Sequence, residues 1–419
     1  MAYAHNIPRT VASIVESTFA DTAADFDANG VEFFAISPGL DVSGLRQAVV
    51  PNDNYRQRPD GFHPMVRGLR SGTTVSWKEY LTGSGANAAE AAASTATQLA
   101  NHIKCAMGGM HLGWSIGFSG GTASAPTIDS DPGLEKGDWI YAYDVSAGVG
   151  QFYRIESIAT TTLTLDRDLH FTPVSADYIR GVIDLYWHKD GLTVPGDSDN
   201  DTLAIVAKGE DAEDCFACYG VGVSMTIDPI VQGEPVTLGF EGLVTTFLHE
   251  TLSVPNLTTA PVGESPLVAG TGTSTYFMWA TKSGDYADAD AFRVEPKIGI
   301  KRAPVTGPNG IEGIHGYTAT GFGENGLMVS VPFEEDYATE FRARTERKAI
   351  IQVGNGASGV VGIVFPRLEY KVDPTRGVQT ELTSREIEFR ALEENDSAGA
   401  LTGDSLEKWR SSMHILIVA

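Results

Sequence analysis

The chain is short of cysteine, of positive charge and of long apolar runs, and each shortage removes a class of function. Three cysteines in 419 residues cannot all pair, so no disulfide framework organises the fold. No apolar run approaches the roughly 20 residues that cross a bilayer. The opening "MAYAHNIPRT" leads into no apolar segment of a secretory signal, so the expectation is a soluble protein assembled in cytoplasm. Lys and Arg total 30 against 54 Asp and Glu, a net charge of −24. A field of that sign repels phosphate and argues against a dedicated nucleic-acid binder.

Turn formers and β-formers are plentiful. Glycine numbers 46 and proline 20, and Val, Ile, Thr, Tyr and Phe fall in short runs between turn signals, which predicts a mainly β protein. A hydrophobic content of 42% is enough to give each domain a core, and the length predicts about three domains.

One stretch occurs twice. "LAIVAKGEDAEDCFACYGVGVSMTIDP" (Leu203 to Pro229) matches "KAIIQVGNGASGVVGIVFPRLEYKVDP" (Lys348 to Pro374) without a gap, 145 residues apart. Ala204, Ile205, Val206 and Gly209 stand against Ala349, Ile350, Ile351 and Gly354. Val223, Met225, Ile227, Asp228 and Pro229 stand against Leu368, Tyr370, Val372, Asp373 and Pro374. What recurs is an alternation of apolar residues and a terminal Asp-Pro, which two β units of one design would share. The same spacing continues upstream between "RGVIDLYW" (Arg180 to Trp187) and "NGLMVSVP" (Asn325 to Pro332). A further match, "VSWKEYLTG" ending at Gly83 with "GIHGYTATG" ending at Gly321, is 238 residues apart and predicts 93 extra residues after Gly83 in the first half (238 less 145).

Those extra residues read as an insertion in two parts. "SGANAAEAAASTATQLANHIKCAMGG" predicts a helix over 86–107, with Leu99, Ile103 and Ala106 on one face and Gly108 to stop it. Residues from about 113 to 180 then hold three alternating strands, "GDWIYAYDV", "GQFYRIESIA" and "TTLTLDRDLHF", which predict a small β-barrel or sandwich. The Pro-, Gly- and Thr-rich stretch Thr258 to Thr275 reads as a linker. The predicted organisation is therefore a first domain over 1–262, a second over 263–394 and a C-terminal arm over 395–419. The arm's "HILIVA" cannot form a core alone and is expected to pair as a strand, a neighbouring subunit being one candidate partner.

The motifs that would carry chemistry each have a stronger structural reading. "GWSIG" (Gly113 to Gly117) matches a nucleophile elbow around Ser115, but "FSGGTASAP" follows and is no helix. "CFAC" (Cys215 to Cys218) has no second pair, with His249 lying 31 residues on and Cys105 in the predicted helix. Asp197, Asp199 and Asp201 alternate as in a calcium loop, yet Thr202 and Lys208 stand where that loop needs Gly and Glu, so a solvated acidic turn is the better reading. No phosphate-cradling Gly-rich loop occurs. The expectation is no catalytic residue, no metal and no cofactor, and no enzyme.

Taken in order, "PMVRGLRSGTTVSWKEYLTG" (Pro64 to Gly83), the helix ending in "CAMGG", the "GDWIYAYDV…TLTLDRDL" insertion and the hairpin "VSMTIDPIVQGEPVTLGFEG" (Val223 to Gly242) resemble the tail tube proteins of long-tailed bacteriophages. The likeness covers most of residues 60 to 250 and, through the repeat, 275 to 392. It implies two tandem antiparallel β-sandwich tail-tube domains with a flanking helix, the small β-barrel-like module being an insertion in the first. It also implies a virion structural protein whose rings of six such domains stack into a tube for genome delivery, so that a two-domain chain forms homotrimers. The implied partners are further copies of itself, the tape measure, terminator and distal tail proteins, and genomic DNA passing the lumen without specific binding; no membrane is implied. The alternation of the two hairpins makes Val223, Met225, Ile227, Val236, Leu238 and Phe240, and Leu368, Tyr370 and Val372, core positions. The opposite faces, Ser224, Thr226, Asp228, Thr237 and Glu241, and Arg367, Glu369 and Lys371, are then candidates for the lumen or for inter-domain ion pairs. The alternative readings are a head-decoration protein or a host-surface adhesin, which β-sandwiches also serve, and a hydrolase using paired carboxylates. The six Trp residues are dispersed singly, which disfavours the adhesin.

Overall fold

The computed structural model describes residues 10–16, 31–32, 40–41, 49–51, 65–67, 74–83, 97–188, 201–208, 215–231, 233–250, 266–269, 275–280, 291–295, 299–305, 313–320, 325–332, 337–357, 359–373, 384–395 and 398–418. In the first part of the chain β1 (Thr10–Val15), β2 (Val31–Glu32), β3 (Val49–Pro51), β4 (Met65–Arg67) and β5 (Thr74–Tyr80) precede helix α1 (Gln98–Met107) and β6 (Gly108–Leu112). Then come β7 (Ile116–Thr122), β8 (Ala125–Ile128), β9 (Trp139–Asp144), β10 (Val149–Ala159), β11 (Thr162–Leu165), β12 (Tyr178–Arg180) and β13 (Val182–Trp187). The first repeat copy supplies β14 (Leu203–Lys208) and β15 (Cys215–Ile227), and after it come β16 (Ile230–Val231), β17 (Thr237–Leu243) and β18 (Thr246–Glu250). The rest holds β19 (Thr275–Ala280), β20 (Ala291–Glu295), β21 (Gly299–Val305), β22 (Gly313–Thr320), β23 (Gly326–Pro332), α2 (Tyr337–Ala343), β24 (Arg347–Val353), β25 (Val361–Tyr370), β26 (Ser384–Ala391), α3 (Asp404–Arg410) and β27 (His414–Val418). The protein is mainly β, built of antiparallel sheets with a few helices and one closed six-stranded barrel.

The repeat is a repeat of topology. Hydrogen bonding gives the order β1-β14-β15-β17-β5 in the first unit and β19-β24-β25-β26-β23 in the second. In both, the long hairpin strand pairs with one set of neighbours before an irregularity and gains a different neighbour past it. The first shifts register between the Ile205↔Cys218 and Leu203↔Val221 pairs, the second between Ala349↔Phe365 and Arg347↔Leu368. At each irregularity two residues stand opposite one, and the single residue gained bends the strand as a bulge does. In the first the two are Tyr219 and Gly220, with Gly220 at φ 59 and its N–H donated to the buried Glu16 carboxylate at 2.9 Å. In the second they are Pro366 and Arg367, and proline has no N–H to satisfy. Each unit is therefore a sandwich of a back sheet and a hairpin sheet around a shared core.

The alignment of units differs from the upstream sequence matches. The buried cross-strand row Trp77–Phe240–Met225 corresponds to Leu327–Phe389–Tyr370, so β5 corresponds to β23, 250 residues on. The sequence had set "RGVIDLYW" against β23, but β13 pairs with β6 and β27, and "GIHGYTATG" pairs with β21. Apolar alternation alone cannot separate such strands, because every half-buried strand has it. The insertion between corresponding strands is then 105 residues (250 less 145), not 93.

Helix α1 starts at Gln98, where Thr97 Oγ1 caps the Ala100 N–H at 3.2 Å, and stops where Gly108 takes φ 106. Leu99, Ile103 and Ala106 are buried, as their spacing predicts; residues 86–96 lie outside the described ones. The inserted module closes as a barrel in the order β10-β11-β8-β7-β12-β9 around Phe118, Ile140, Tyr153, Ile155 and Leu163. One side of its outer wall, on β9 and β10, is covered rather than turned to water. Trp139, Tyr141 and Phe152 form one apolar cluster with Ile350, Val360 and Val364 of the second unit and Leu416 and Val418 of β27. The C-terminal strand, expected as an arm, is buried within its own chain between β13 and β25. Trp409 of α3 leads into it, with Arg154 3.9 Å above its ring and Lys136 at 4.4 Å.

Candidate functional site

The surface singled out by the sequence is the outward face of the two hairpin sheets. In the first, Val223, Met225, Ile227, Val236, Leu238 and Phe240 are buried, which turns Ser224, Thr226, Asp228, Thr237 and Glu241 to the opposite face. Ser224 Oγ donates to the Glu241 carbonyl at 3.1 Å, and Lys78 Nζ donates to Asp228 at 2.8 Å. In the second, Leu368 and Tyr370 are buried, while Arg367, Glu369 and Lys371 lie opposite. Each of these three is ion-paired inside its own unit. Arg367 Nε meets Glu346 at 2.7 Å, Glu369 meets Arg390 at 2.9 Å, and Lys371 pairs with Glu388. The bond from Arg367 holds the Glu346 carboxyl below the usual carboxylate range. Within the chain these pairs tie together parts of the second unit. Val372 corrects its expected core position: β25 ends at Tyr370, and Val372 is 46% exposed.

The two units are joined through the end of the first hairpin. Only Asp228 and Pro229 separate β15 from β16, and β16 pairs with β20, Ile230 opposite Phe292 and Val231 opposite Ala291. Ile227 and Ile230 are buried in a core that also contains Val294, Leu327 and Val329 of the second unit. The chain thus carries one hairpin sheet onto the outer strand of the next. The contact is heterologous, with the end of one unit seated on the edge of the other.

A buried polar chain underlies this surface that sequence spacing did not reveal. His102 Nδ1 lies 2.5 Å from Glu79 Oε1, and His102 Nε2 lies 2.7 Å from Ser13 Oγ. Trp77 Nε1 donates to the same Glu79 oxygen at 2.7 Å, and the Gln98 amide donates to Ser13 Oγ. The connectivity is that of a Ser-His-carboxylate relay, but Ser13 and His102 have no exposed surface. With Nδ1–H donating to Glu79, the ring nitrogen opposite accepts the Ser13 hydroxyl, and the chain fastens α1 to β1 and β5. Two signals existed in the sequence. Glu79 occupies an inward position in the Val75, Trp77, Glu79 alternation, and His102 sits beside Ile103 on the buried face of α1.

The remaining motif residues are structural where they are described. Ser115 Oγ accepts the Gly181 N–H at 2.9 Å, and strand β7, not a helix, follows it. Burial pushes the Cys218 thiol up to about 12, far from thiolate reactivity, and Cys105 is buried in α1. Asp201 pairs with Lys104 at 2.5 Å, while Asp197 and Asp199 lie outside the described residues. Among the described residues no group of three or more His, Cys, Asp or Glu converges as metal ligands, and no helix is long and apolar enough to cross a membrane.

Compared with protein-family models the chain matches none, and none of the curated proteins compared is significantly similar to it.

Proposed function

We propose that this chain is a structural subunit of a phage tail tube, whose rings stack around a channel for genome delivery. The observation that carries the reading is the heterologous joint between two units of one topology, since a joint of that kind closes into a ring or runs on as a helix when it is repeated. Strand count supports a ring of suitable size. The second hairpin sheet offers β20, β23, β26 and β25, and the first offers β5, β17, β15 and the segment at Asp41 bridged to Ser76. Four strands per unit and six units per ring give 24 strands, which at about 4.8 Å spacing and a tilt near 40° close at a backbone diameter of roughly 50 Å. That bore passes a DNA duplex.

The electrostatics of the hairpin face fit passage without binding. Lys78, Lys371 and Arg390 each have a carboxylate partner on the same face, so a passing phosphate finds few cations free to exchange counterions for it. The wall works by local neutralisation of its own charges.

Electron microscopy of the concentrated full-length protein tests the reading: hollow tubes or stacked rings are expected, with three chains per ring by mass. Persistent featureless monomers would sink it.

A further inference from the structure

The buried pair that fastens the C-terminal segment to the barrel carries the parts of an amide-forming site. Lys408 of α3 and Asp138, which leads into β9, are 270 residues apart and meet through Nζ and Oδ1. Their side chains are 3% and 4% exposed, and their sequence neighbours Trp409 and Trp139 are buried. The placement does not depend on this pair alone. Ser405 Oγ donates to Glu135 at 2.6 Å, and Lys136 and Arg154 both lie over the Trp409 ring, so other contacts also hold α3 against the barrel. The two carboxyl oxygens of Asp138 have different surroundings. Oδ2 accepts the Glu135 N–H at 2.8 Å, whereas Oδ1 meets Lys408 and lies 3.4 Å from His111 Nε2. A nitrogen bonded to Oδ1 stands one C–O bond from Cγ, the atom it would attack. A backbone donor then sits on the oxygen that would take up charge, and an imidazole on the oxygen that would leave.

We propose that Lys408 and Asp138 condense to an amide, a covalent cross-link between the C-terminal segment and the barrel. Nζ bonds to Cγ, the Cγ–Oδ1 bond breaks, and Oδ1 departs as water. Two protons of the ammonium end on that water and the third stays on the amide nitrogen. The first passes within the pair, leaving an amine facing an acid; the second passes through His111, which ends as it began, so no co-reactant is needed. Holding the two groups together in a site without water drives the reaction, and it replaces two buried charges with a neutral group. The other buried pair, Lys348 with Asp166, lacks this arrangement. Burial pushes the Asp166 carboxyl up, but Lys348 and Arg167 together hold it at about 2, as an anion that resists attack. The cross-link would fix β27, which bridges β13 of the first half to β25 of the second unit. It is a property of one chain and stands apart from the tube reading.

Mass spectrometry of the unfolded full-length protein tests it. Wild type should be lighter than its sequence by one water, and proteolysis should release a branched peptide joining residues 138 and 408. Lys408→Arg keeps the charge but offers no amine, so it should show the full mass of its own sequence. His111→Gln should slow the mass loss by roughly a hundredfold. Wild type that stays at full mass would overturn the cross-link and leave an ion pair only. A loss of one water that Lys408→Arg retains would be a succinimide elsewhere in the chain and would overturn it equally. The branched peptide decides for wild type even where the variant fails to fold. His111→Gln that matures at the wild-type rate would overturn the part given to His111.

Discussion

The two units share five strands in one order and are finished in opposite ways. The first closes its back sheet with β18, which follows directly from β17 and pairs with the same strand, β15. The second has β27 in that place, delivered from the C-terminus after α3, and beyond it β13 and β6 from the first half. The barrel then covers the sheet so formed. The β24–β25 turn is held by barrel groups: Tyr141 Oη donates to the Gly356 carbonyl at 2.8 Å and Gly150 N–H to the Asn355 carbonyl at 3.0 Å. A repeat in topology is therefore not a repeat in autonomy, because the second unit borrows its outer layer from sequence far away.

The largest expected effect breaks that dependence. Expressed alone, residues 263–394 lose β27, β13 and the barrel, and Ile350, Val360 and Val364 lose their cover. Burying side chains of this kind contributes about 1.5–3 kcal/mol each, comparable with the few kcal/mol of net stability of a small domain. The fragment is expected to melt without a cooperative transition by circular dichroism. A sharp transition would show that the second unit is self-sufficient.

Next in size is the charged seal between barrel and second unit. Asp166 of the barrel pairs with Lys348 of β24 and, at 3.1 Å, with Arg167. Burial pushes its carboxyl up, but Lys348 and Arg167 outweigh burial and hold it at about 2. Asp166→Asn leaves two cations buried without their partner and should cost about 3–5 kcal/mol. The sign with pH follows from a folded value below the unfolded one. The contribution is complete above the unfolded value near 3.8 and is lost as pH falls toward 2. Denaturant midpoints of wild type and variant should therefore differ at pH 7 and converge toward pH 2. A gap independent of pH would mean that the charge is not what seals the contact.

Most of the fold was legible in sequence where a residue type constrains the backbone locally. Gly108 ended the helix, the inward alternation of Val223, Met225 and Ile227 set the hairpin face, and Trp139 to Leu165 marked the barrel strands. What sequence did not convey was partnership. Val182 to Trp187 and Gly326 to Pro332 have the same alternation but different neighbours, since pairing is decided by which faces the rest of the chain leaves to bury. The polar chain from Ser13 to His102 to Glu79 was hidden for the same reason: its members are 89 and 23 residues apart and meet only once α1 is laid on the sheet.

That polar chain gives a medium-sized test of how each unit fastens its helix. In the first, Glu79 is buried and receives Trp77 Nε1 and His102. In the second, Glu340 of α2 is partly exposed, bonded to Arg347 and to Tyr370 Oη at 2.5 Å, and burial with the Glu340 contact raises the Tyr370 hydroxyl above its usual range. Glu79→Gln should cost about 1–3 kcal/mol through donors left without a full acceptor, and Glu340→Gln about 1 kcal/mol or less because water can replace it. Equal losses by thermal melting would mean that the two clamps are equivalent in spite of their burial.

The smallest effect belongs to the face proposed as the wall. Arg390 and Glu369 are 46% and 39% exposed at 2.9 Å. Water already solvates both groups, and holding two long side chains in one geometry costs entropy, so Arg390→Ala should change stability by less than about 1 kcal/mol, and by nothing measurable in 1 M salt. Its informative effect lies on DNA rather than on folding. Removing the arginine unmasks Glu369 and makes the face more acidic, so any residual retention of duplex DNA by assembled protein should fall or stay at zero. Glu369→Ala does the reverse by freeing Arg390, and should introduce salt-sensitive retention, because an unpaired guanidinium releases counterions on meeting phosphate. Identical behaviour of the two variants on a DNA column at low salt would show that the paired charges of this face never meet the duplex.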